Sequence, residues 1–327
     1  MKSHRTKLLS VLALCLALGP VVRVQAQTYP ARPIKLLVPL AAGSTADIVS
    51  RLVGAELAKA FGQPVVVDNK PGAGGTIAMA ELARAPADGY TIAYASQGTL
   101  VFNQALYQRP GYDSLKDFAP IYLVGGVTNV MVVPPNSTAN TVLDVAAAAK
   151  AKPGHLTFSS GGSGTSHHLS GVLFGQMTGT DVLHVPYKGA PQGIVAVMSG
   201  EVSMGFFNMP TVINQIKSGK LKALGVTSLE RSTLMPQVPT LDASGVKGYE
   251  VNTWFGFMAP AGVPADVLTR LHGQIGKILS QAAVKEVLAA QGFDLAPLQP
   301  SSVLTTLIRD DLAKWPPVIK AAGATVD

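Results

Sequence analysis

Apolar residues fall along the chain in short runs, each followed by a loop of small residues and then by a stretch with helical periodicity. Ile34–Val38 is the first such run. It ends at Pro39, and residues 38–47 read VPLAAGSTAD, with few large side chains. Beyond it Ile48, Val49, Leu52, Val53 and Leu57 are apolar. That is the spacing of one buried helical face, which predicts a helix over Asp47–Ala60. Ser44 and Asp47 have the S-x-x-D form of a capping box, and Gly62 stops the helix. The first amides of a helix have no internal partner, and its dipole places partial positive charge there. A loop of this kind can hold a carboxylate or phosphate without a cationic side chain.

The scheme recurs. Val65–Val67, the loop 69–75 (NKPGAGG) and a helix over Thr76–Arg84 come next, then Tyr90–Ala95, the loop 96–99 (SQGT) and a helix to about Tyr107. Strand, glycine-rich loop and helix in alternation predict a parallel sheet whose loops gather beyond the strands' carboxyl ends. Phe118–Val124 and Val130–Val133 read as two extended runs, separated by Gly125-Gly126 and Thr128-Asn129, that cross into a second lobe. There the expected order is helix Val142–Ala151, strand Leu156–Ser159, and the loop 160–168 (SGGSGTSHH) opening a helix. Strand Val182–Val185, the loop 186–190 (PYKGA), a helix to Ser199, strand Val202–Phe207, helix Thr211–Lys217 and strand Lys222–Thr227 follow. The aromatic, extended Tyr249–Met258 reads as the return crossing. Helices over Asp266–Leu279, Ala283–Gln291 and from Ser302 onward finish the chain. Val267, Leu268, Leu271, Ile275 and Ile278 form a face expected to pack on the first lobe.

The predicted fold class is α/β, two Rossmann-like lobes joined by two crossing strands. Residues 27–128 and 250–327 make the first lobe and residues 129–249 the second. Ligand sites favour strand ends and the junction between lobes, so the loops are expected to face one another across a cleft. The length of 327 residues agrees with two lobes, since single cores rarely grow beyond about 250–300 residues.

Composition changes the picture mainly at the start. Lys2, Arg5 and Lys7 precede the uncharged apolar run Leu8–Val22, and Val24-Gln25-Ala26 is an A-x-A-like cleavage site. This predicts an export signal over residues 1–26, cleaved near Ala26/Gln27, and a periplasmic mature protein. Cys15, the single cysteine, lies in that segment, so disulfides and cysteine-ligated metals are not expected. Four of the 26 basic residues also lie there, which leaves 22 against 19 acidic ones. With no basic run, nucleic-acid binding has no support.

Enzyme motifs fail on inspection. Gly162-Ser163-Gly164 is followed by Thr165, which breaks G-x-S-x-G, and His167 stands where G-x-G-x-x-G needs its last glycine. No Walker-type lysine follows a glycine loop. Adjacent His167 and His168 point in different directions on a helix and suit a shared metal poorly. One of the two is expected to position its loop or bond a ligand oxygen, with His167 taken as a candidate site residue, while His184 and His155 read as structural. The loops offer amides together with the hydroxyls of Ser44, Thr45, Thr76, Ser96, Thr99, Ser163, Thr165 and Ser166. Such a set is equipped to hold an anion rather than to transform one. No enzyme activity, cofactor or metal is expected. A Ser/His hydrolase using Ser163 or Ser166 with His167 is the remote alternative.

An ordered set of segments then resembles the substrate-binding proteins of the tripartite tricarboxylate transporter family, the Bug receptors. These are YPARPIKLLVPL (29–40), GQPVVVDN (62–69), PGAGG (71–75), DGY (88–90), DFAP (117–120), KPG (152–154), HVPYKG (184–189), GKL (219–221), residues 223–228 and APAG (259–262). The resemblance implies a Venus-flytrap periplasmic binding protein of type II that captures a small organic carboxylate. It implies transient docking on a membrane permease of the tripartite tricarboxylate type, and a monomer; a sensor arm for a membrane signalling protein is the alternative. By position it adds Leu40, Ala41, Ala42, Gly43 and Asp47 to the first loop, Gly74 and Gly75 to the second, and Gly98 to the third. It further adds Ser160, Gly162 and Gly164 around Ser163, the trio Tyr187, Lys188 and Gly189, and the pair Phe207 and Asn208. The chain departs from the family pattern at Ala42, Ser44 and Phe207. Ser44 adds a hydroxyl donor. Phe207 either offers the ligand an apolar face or turns into the core of its lobe.

Overall fold

One long strand sets the architecture. In the computed structural model, which describes residues 29–324 and residue 326, β4 (Phe118–Val133) runs for 16 residues. Up to Thr128 it lies between β9 (Asn252–Pro260) and β10 (Phe293–Leu295), antiparallel to both. From Asn129 onward its neighbours are β7 (Met204–Asn208) and β8 (Lys222–Val226), again antiparallel. Each half of β4 is therefore a central strand of a different lobe. Beyond β9 the sheet continues through β3 (Thr91–Ser96) to β1 (Ile34–Val38) and β2 (Val65–Asn69), the last three mutually parallel. Beyond β7 come β5 (Thr157–Ser160) and β6 (Leu183–Pro186), parallel to it.

Helices wind around both halves in the order read from the periodicity. α1 (Thr45–Phe61), α2 (Thr76–Ala83) and the short α3 (Asn103–Leu106), which follows a π-helical turn at Gly98–Phe102, belong to the first lobe. The second carries α4 (Val142–Ala151), α5 (Ser166–Thr178), α6 (Ala190–Ser199) and α7 (Met209–Lys217). α8 (Ala265–Ser280), α9 (Ala282–Ala289) and α10 (Ser302–Ala321) return to the first. α8 turns Val267, Leu271, Ile275 and Ile278 inward against α1 and β4, with Leu268 only half-buried at the edge. α10 continues through Pro316-Pro317, and its Trp315 packs edge-on to Phe102 at 4.9 Å. The export signal expected over residues 1–26 lies outside the described residues. No helix among the described residues is long and apolar enough to cross a membrane.

Two readings needed correction. The runs around Gly125-Gly126 form one continuous strand, because the glycines admit neighbouring backbones instead of breaking the pairing. Gly125 has φ +136°, and a methyl group there would overlap the carbonyl oxygen of Asp294 on β10. The register against β9 slips at this point, between Leu123 and Gly125, as at a bulge. β10 itself was not foreseen, since three residues carry no legible alternation.

The two crossings are tied by buried hydrogen bonds. The Asn129 amide donates to Thr227 Oγ1 at 2.9 Å, and that hydroxyl donates to the Val251 carbonyl at 2.7 Å. Tyr249 reaches from the return segment to the Ser170 carbonyl on α5, 2.7 Å away. Gly125→Ala combines a clash with backbone and a disfavoured φ, and should lower unfolding free energy by about 3 kcal/mol. Urea titration of the purified variant measures this, and a loss under about 1 kcal/mol would show that β10 moves aside easily.

Candidate functional site

Three helices begin at one place. The N-termini of α1, α5 and α6 all face an inner chamber between the lobes, lined by Leu40, Ser44, Thr45, Gly74, Ser96, Gly98, Gly161, Gly164, Thr165, Ser166, His167, Gly189, Ala190, Asn208, Thr253 and Phe255. None of these residues carries an acidic or basic side chain other than His167. Ser44 caps α1 by accepting from the Asp47 amide at 3.3 Å, and Thr165 caps α5 by accepting from His168 at 3.4 Å. The caps leave the amides of Thr45, Ser166 and His167 without a partner among the described residues. The hydroxyls of Thr45 and Thr253 are likewise buried and unpartnered. Unpaired donors at helix N-termini, with the dipoles behind them, form a potential well for an anion.

Asn208 is held in one orientation. His167 Nδ1 accepts from the Gly161 amide at 3.2 Å, and its Nε2 lies against Asn208, 3.2 Å from Oδ1 and 3.4 Å from the backbone amide that donates to it. Asn208 Nδ2 donates to Asn129 Oδ1 at 2.6 Å, and Asn129 Nδ2 donates to Ser170 Oγ at 2.9 Å. The second hydrogen of the Asn208 amide is left over, which adds one more donor. Phe255, stacked on Tyr94 at 5.5 Å, supplies an aromatic wall.

A second, outer chamber adjoins the first and shares Leu40, Gly74 and Gly161 with it. Its lining adds Pro39, Gly72, Gly75, Tyr107, Gly162, Ser163, Tyr187 and Lys188. The lobes meet between and around the chambers. A methyl group on Gly74 would lie 2.5 Å from the Ser163 carbonyl, and one on Gly164 would overlap Asn103 Oδ1. Contacts this close across the cleft describe a shut form.

A profile of the family described as the tripartite tricarboxylate transporter family receptor matches residues 49–324. Protein BugT of Bordetella pertussis is 36% identical over 323 residues, covering 98% of this chain and 99% of BugT. The chain belongs to the tripartite tricarboxylate transporter receptor family. Among similar solved structures, R. palustris Rpa4515 with adipate is 31% identical, with a TM-score of 0.88 over 91% of this chain and 100% of that one. MatC from Rhodopseudomonas palustris, solved with bound malate, is 29% identical with a TM-score of 0.85, covering 89% and 100%. The two-lobe α/β fold of this receptor is that of the periplasmic binding proteins it resembles.

Most of the residues singled out from the receptor's sequence come together, and the exceptions have physical reasons. Leu40, Ser44, Thr45, Gly74, Ser96, Gly98, Gly164, Thr165, Ser166, His167, Gly189 and Asn208 line the inner chamber, while Gly75, Gly162, Ser163, Tyr187 and Lys188 line the outer. Ala42 and Gly43 face solvent, and Ala41 packs against Gly189. The Gly43 amide is taken by Asp47 Oδ2 at 2.9 Å, and Asp47 Oδ1 pairs with Arg51 at 2.9 Å. Burial raises the Asp47 pKa, but the bonds from Arg51 and Gly43 outweigh it and hold the carboxyl below its usual range. Asp47 is thus a charged cap that faces away from the chambers. Thr99 spends its hydroxyl on Ser96, as acceptor at 3.0 Å and donor at 2.9 Å, and Thr76 is buried beneath its loop. Phe207 turns into the lobe core among Val130, Val132 and Met209, as alternation along β7 requires once Asn208 faces the chamber.

Thr253 and Phe255 were missed. They sit at i and i+2 on β9, so the aromatic crossing segment presents one face to the chamber, and sequence alone could not say which. The serine that meets a histidine is Ser160, whose Oγ is 2.7 Å from His184 Nε2. It is fully buried and lines neither chamber. Burial, with His168 adding to it, pushes His184 down to about 3, too weak a base to activate a serine near neutrality. Neither Ser163 nor Ser166 bonds His167 among the described residues, and no cluster of three or more His, Cys, Asp or Glu there could hold a metal.

Burial pushes His167 down to about 4 despite the bond to Asn208. The unfolded chain binds that proton at a pKa of about 6.5, so the stabilisation is full above this value and is lost as pH falls toward 4. Between pH 7 and 5 the receptor should lose about 2 kcal/mol through His167 alone. Denaturant melts at the two pH values should show this loss, and His167→Gln should reduce it; an unchanged pH dependence in the variant would place the effect elsewhere.

Proposed function

We propose that this chain is a periplasmic solute receptor that captures a small organic carboxylate in the inner chamber and delivers it to a membrane permease of the tripartite tricarboxylate type. The observation that carries this is the convergence of three helix N-termini on a chamber with no charged side chain. The ligand carboxylate accepts from the amides of Thr45, Ser166 and His167, from the hydroxyls of Ser44, Thr45 and Thr253, and from Asn208. Adipate and malate, bound to two related proteins, support this ligand class. Export by the signal over residues 1–26, function as a monomer and the absence of catalysis belong to the same reading.

Capture works by closure. Lobe 1 (residues 27–128 and 250–327) and lobe 2 (129–249) move about the crossings at Thr128-Asn129 and Thr227–Val251. The change of partners along β4 supports these boundaries. Closure needs a ligand that binds the shut form better than the open one. The α5 and α6 ends reach the carboxylate only when shut, which supplies the difference.

Isothermal titration with a panel of mono-, di- and tricarboxylates tests the proposal. Heat of binding with at least one acid is expected, and silence across the panel would sink it. Ser44 Oγ accepts from Asp47 and keeps its own hydrogen for the ligand. Ser44→Gly should therefore weaken affinity by about 0.5–1.5 kcal/mol, with little change in stability. Equal affinity would mean that the amides hold the carboxylate alone.

A further inference from the structure

β3 and β9 pair antiparallel from Ala93 against Met258 to Ser96 against Phe255, and there the ladder ends. One position further along the same register, Gln97 stands opposite Trp254. Each is flanked on both sides by residues that line the inner chamber: Ser96 and Gly98 in one segment, Thr253 and Phe255 in the other. The side chains of Gln97 and Trp254 leave the chamber and meet behind it. Gln97 Nε2 and Trp254 Nε1 both donate to Oδ2 of Asp311 on α10, each at 2.7 Å. Thr253 lines both the inner chamber and the cavity beside Asp311, so a single strand separates the two.

Asp311 is 8% exposed and Gln97 4%. No cation pairs with this carboxylate among the described residues; Lys314, one turn along α10, lies over the Trp315 ring, 5.3 Å from its centre. A buried carboxylate held by two neutral donors recovers little more than its lost hydration, so it adds little to stability. Its effect is geometric. The Gln97 amide is fixed in one sense, because turning it would set oxygen against oxygen. Both donors share one oxygen, which pins the end of β3 to β9 where backbone pairing has stopped. The loop so held also touches the second lobe: a methyl group on Gly98 would lie 2.8 Å from the Gly164 carbonyl in the α5 loop.

We propose that Asp311 is a positioning residue of the binding site, which from behind the sheet holds residues 96–98 and 253–255 in the arrangement that lines the chamber. This rests on the carboxylate-receptor reading above and adds to it a residue that never meets the ligand. Without the carboxylate, Gln97 and Trp254 lose their common acceptor. The Ser96 loop and the Thr253 hydroxyl then shift, and the anion loses donors that were set before it arrived. The starts of α1, α5 and α6 are untouched, so binding weakens without vanishing.

The test compares wild type with Asp311→Ala, Asp311→Asn and, as a control for charge, Asp310→Ala on the exposed side of the same helix. Hydrogen exchange read by mass spectrometry on the ligand-free protein comes first. Asp311→Ala should speed exchange several-fold in peptides covering residues 94–100 and 252–256 and leave the strands of the second lobe unchanged. Asp311→Asn, whose amide oxygen can take the place of Oδ2, should keep exchange slow, and Asp310→Ala should not alter it. Isothermal titration then uses the acids of the panel above, adipate and malate included. Asp311→Ala should weaken the acid that wild type binds by about ten-fold, the scale of one hydrogen bond lost, with Asp311→Asn within about three-fold of wild type. If Asp311→Ala does not fold, Trp254→Phe removes one of the two donors and should give the same local change in smaller measure. Exchange that rises uniformly along the chain, or not at all, overturns the positioning role and leaves the carboxylate receptor standing. So does faster local exchange with unaltered affinity. Silence of wild type across the acid panel removes the carboxylate reading, while the exchange result still decides whether Asp311 holds the loop.

Discussion

An anion moved out of water into a chamber without a cation must be held by oriented dipoles, and the rest of this structure serves to aim them. Backbone amides at a helix start are the cheapest such donors, because helix geometry leaves them unpaired in any case. One helix end gives a shallow well. Here α1 brings its start from the first lobe and α5 and α6 bring theirs from the second, so the full well exists only with the lobes together. The side chains around it are small or hydroxylated, and the caps Ser44 and Thr165 use up the amides that point elsewhere.

The chamber is built where β4 changes its partners. Asn208 lines it and is bonded to Asn129, the residue at which β4 leaves the partners of one lobe for those of the other. Asn129 is bonded in turn to Thr227 on the second crossing. All three residues are nearly or fully buried. A buried network in which each polar atom has a partner resists reorientation, since breaking one bond strands another group away from water. The donor that Asn208 offers is therefore fixed by the same contacts that join the lobes. β4 carries both jobs, and the bulge at Gly125 is where it adjusts its register to do so.

Legibility tracked the range of the interactions involved. Helix α1 and the α5 loop could be read directly, because capping residues, apolar spacing and glycine act within a few positions of one another. The continuity of β4 could not, because Gly125 is explained only by Asp294, far along the chain. Thr253 and Phe255 escaped for a similar reason: alternation predicts that one face of β9 looks at the cleft, and only the packed sheet chooses the face. Asp47 and Gly43 were over-read as ligand contacts because a capping carboxylate and an anion compete for the same amide. In this chain the carboxylate takes it.

By itself the sequence determined the alternation of strands, small-residue loops and helices, and with it a two-lobe α/β receptor whose loops could hold an anion. Those properties follow from local periodicity and capping, which need only neighbouring residues. The tertiary structure decided which of the donors are free and which are spent, and that Phe207 belongs to the core. Whether a polar group is available depends on every group that could reach it first, and those come from both lobes.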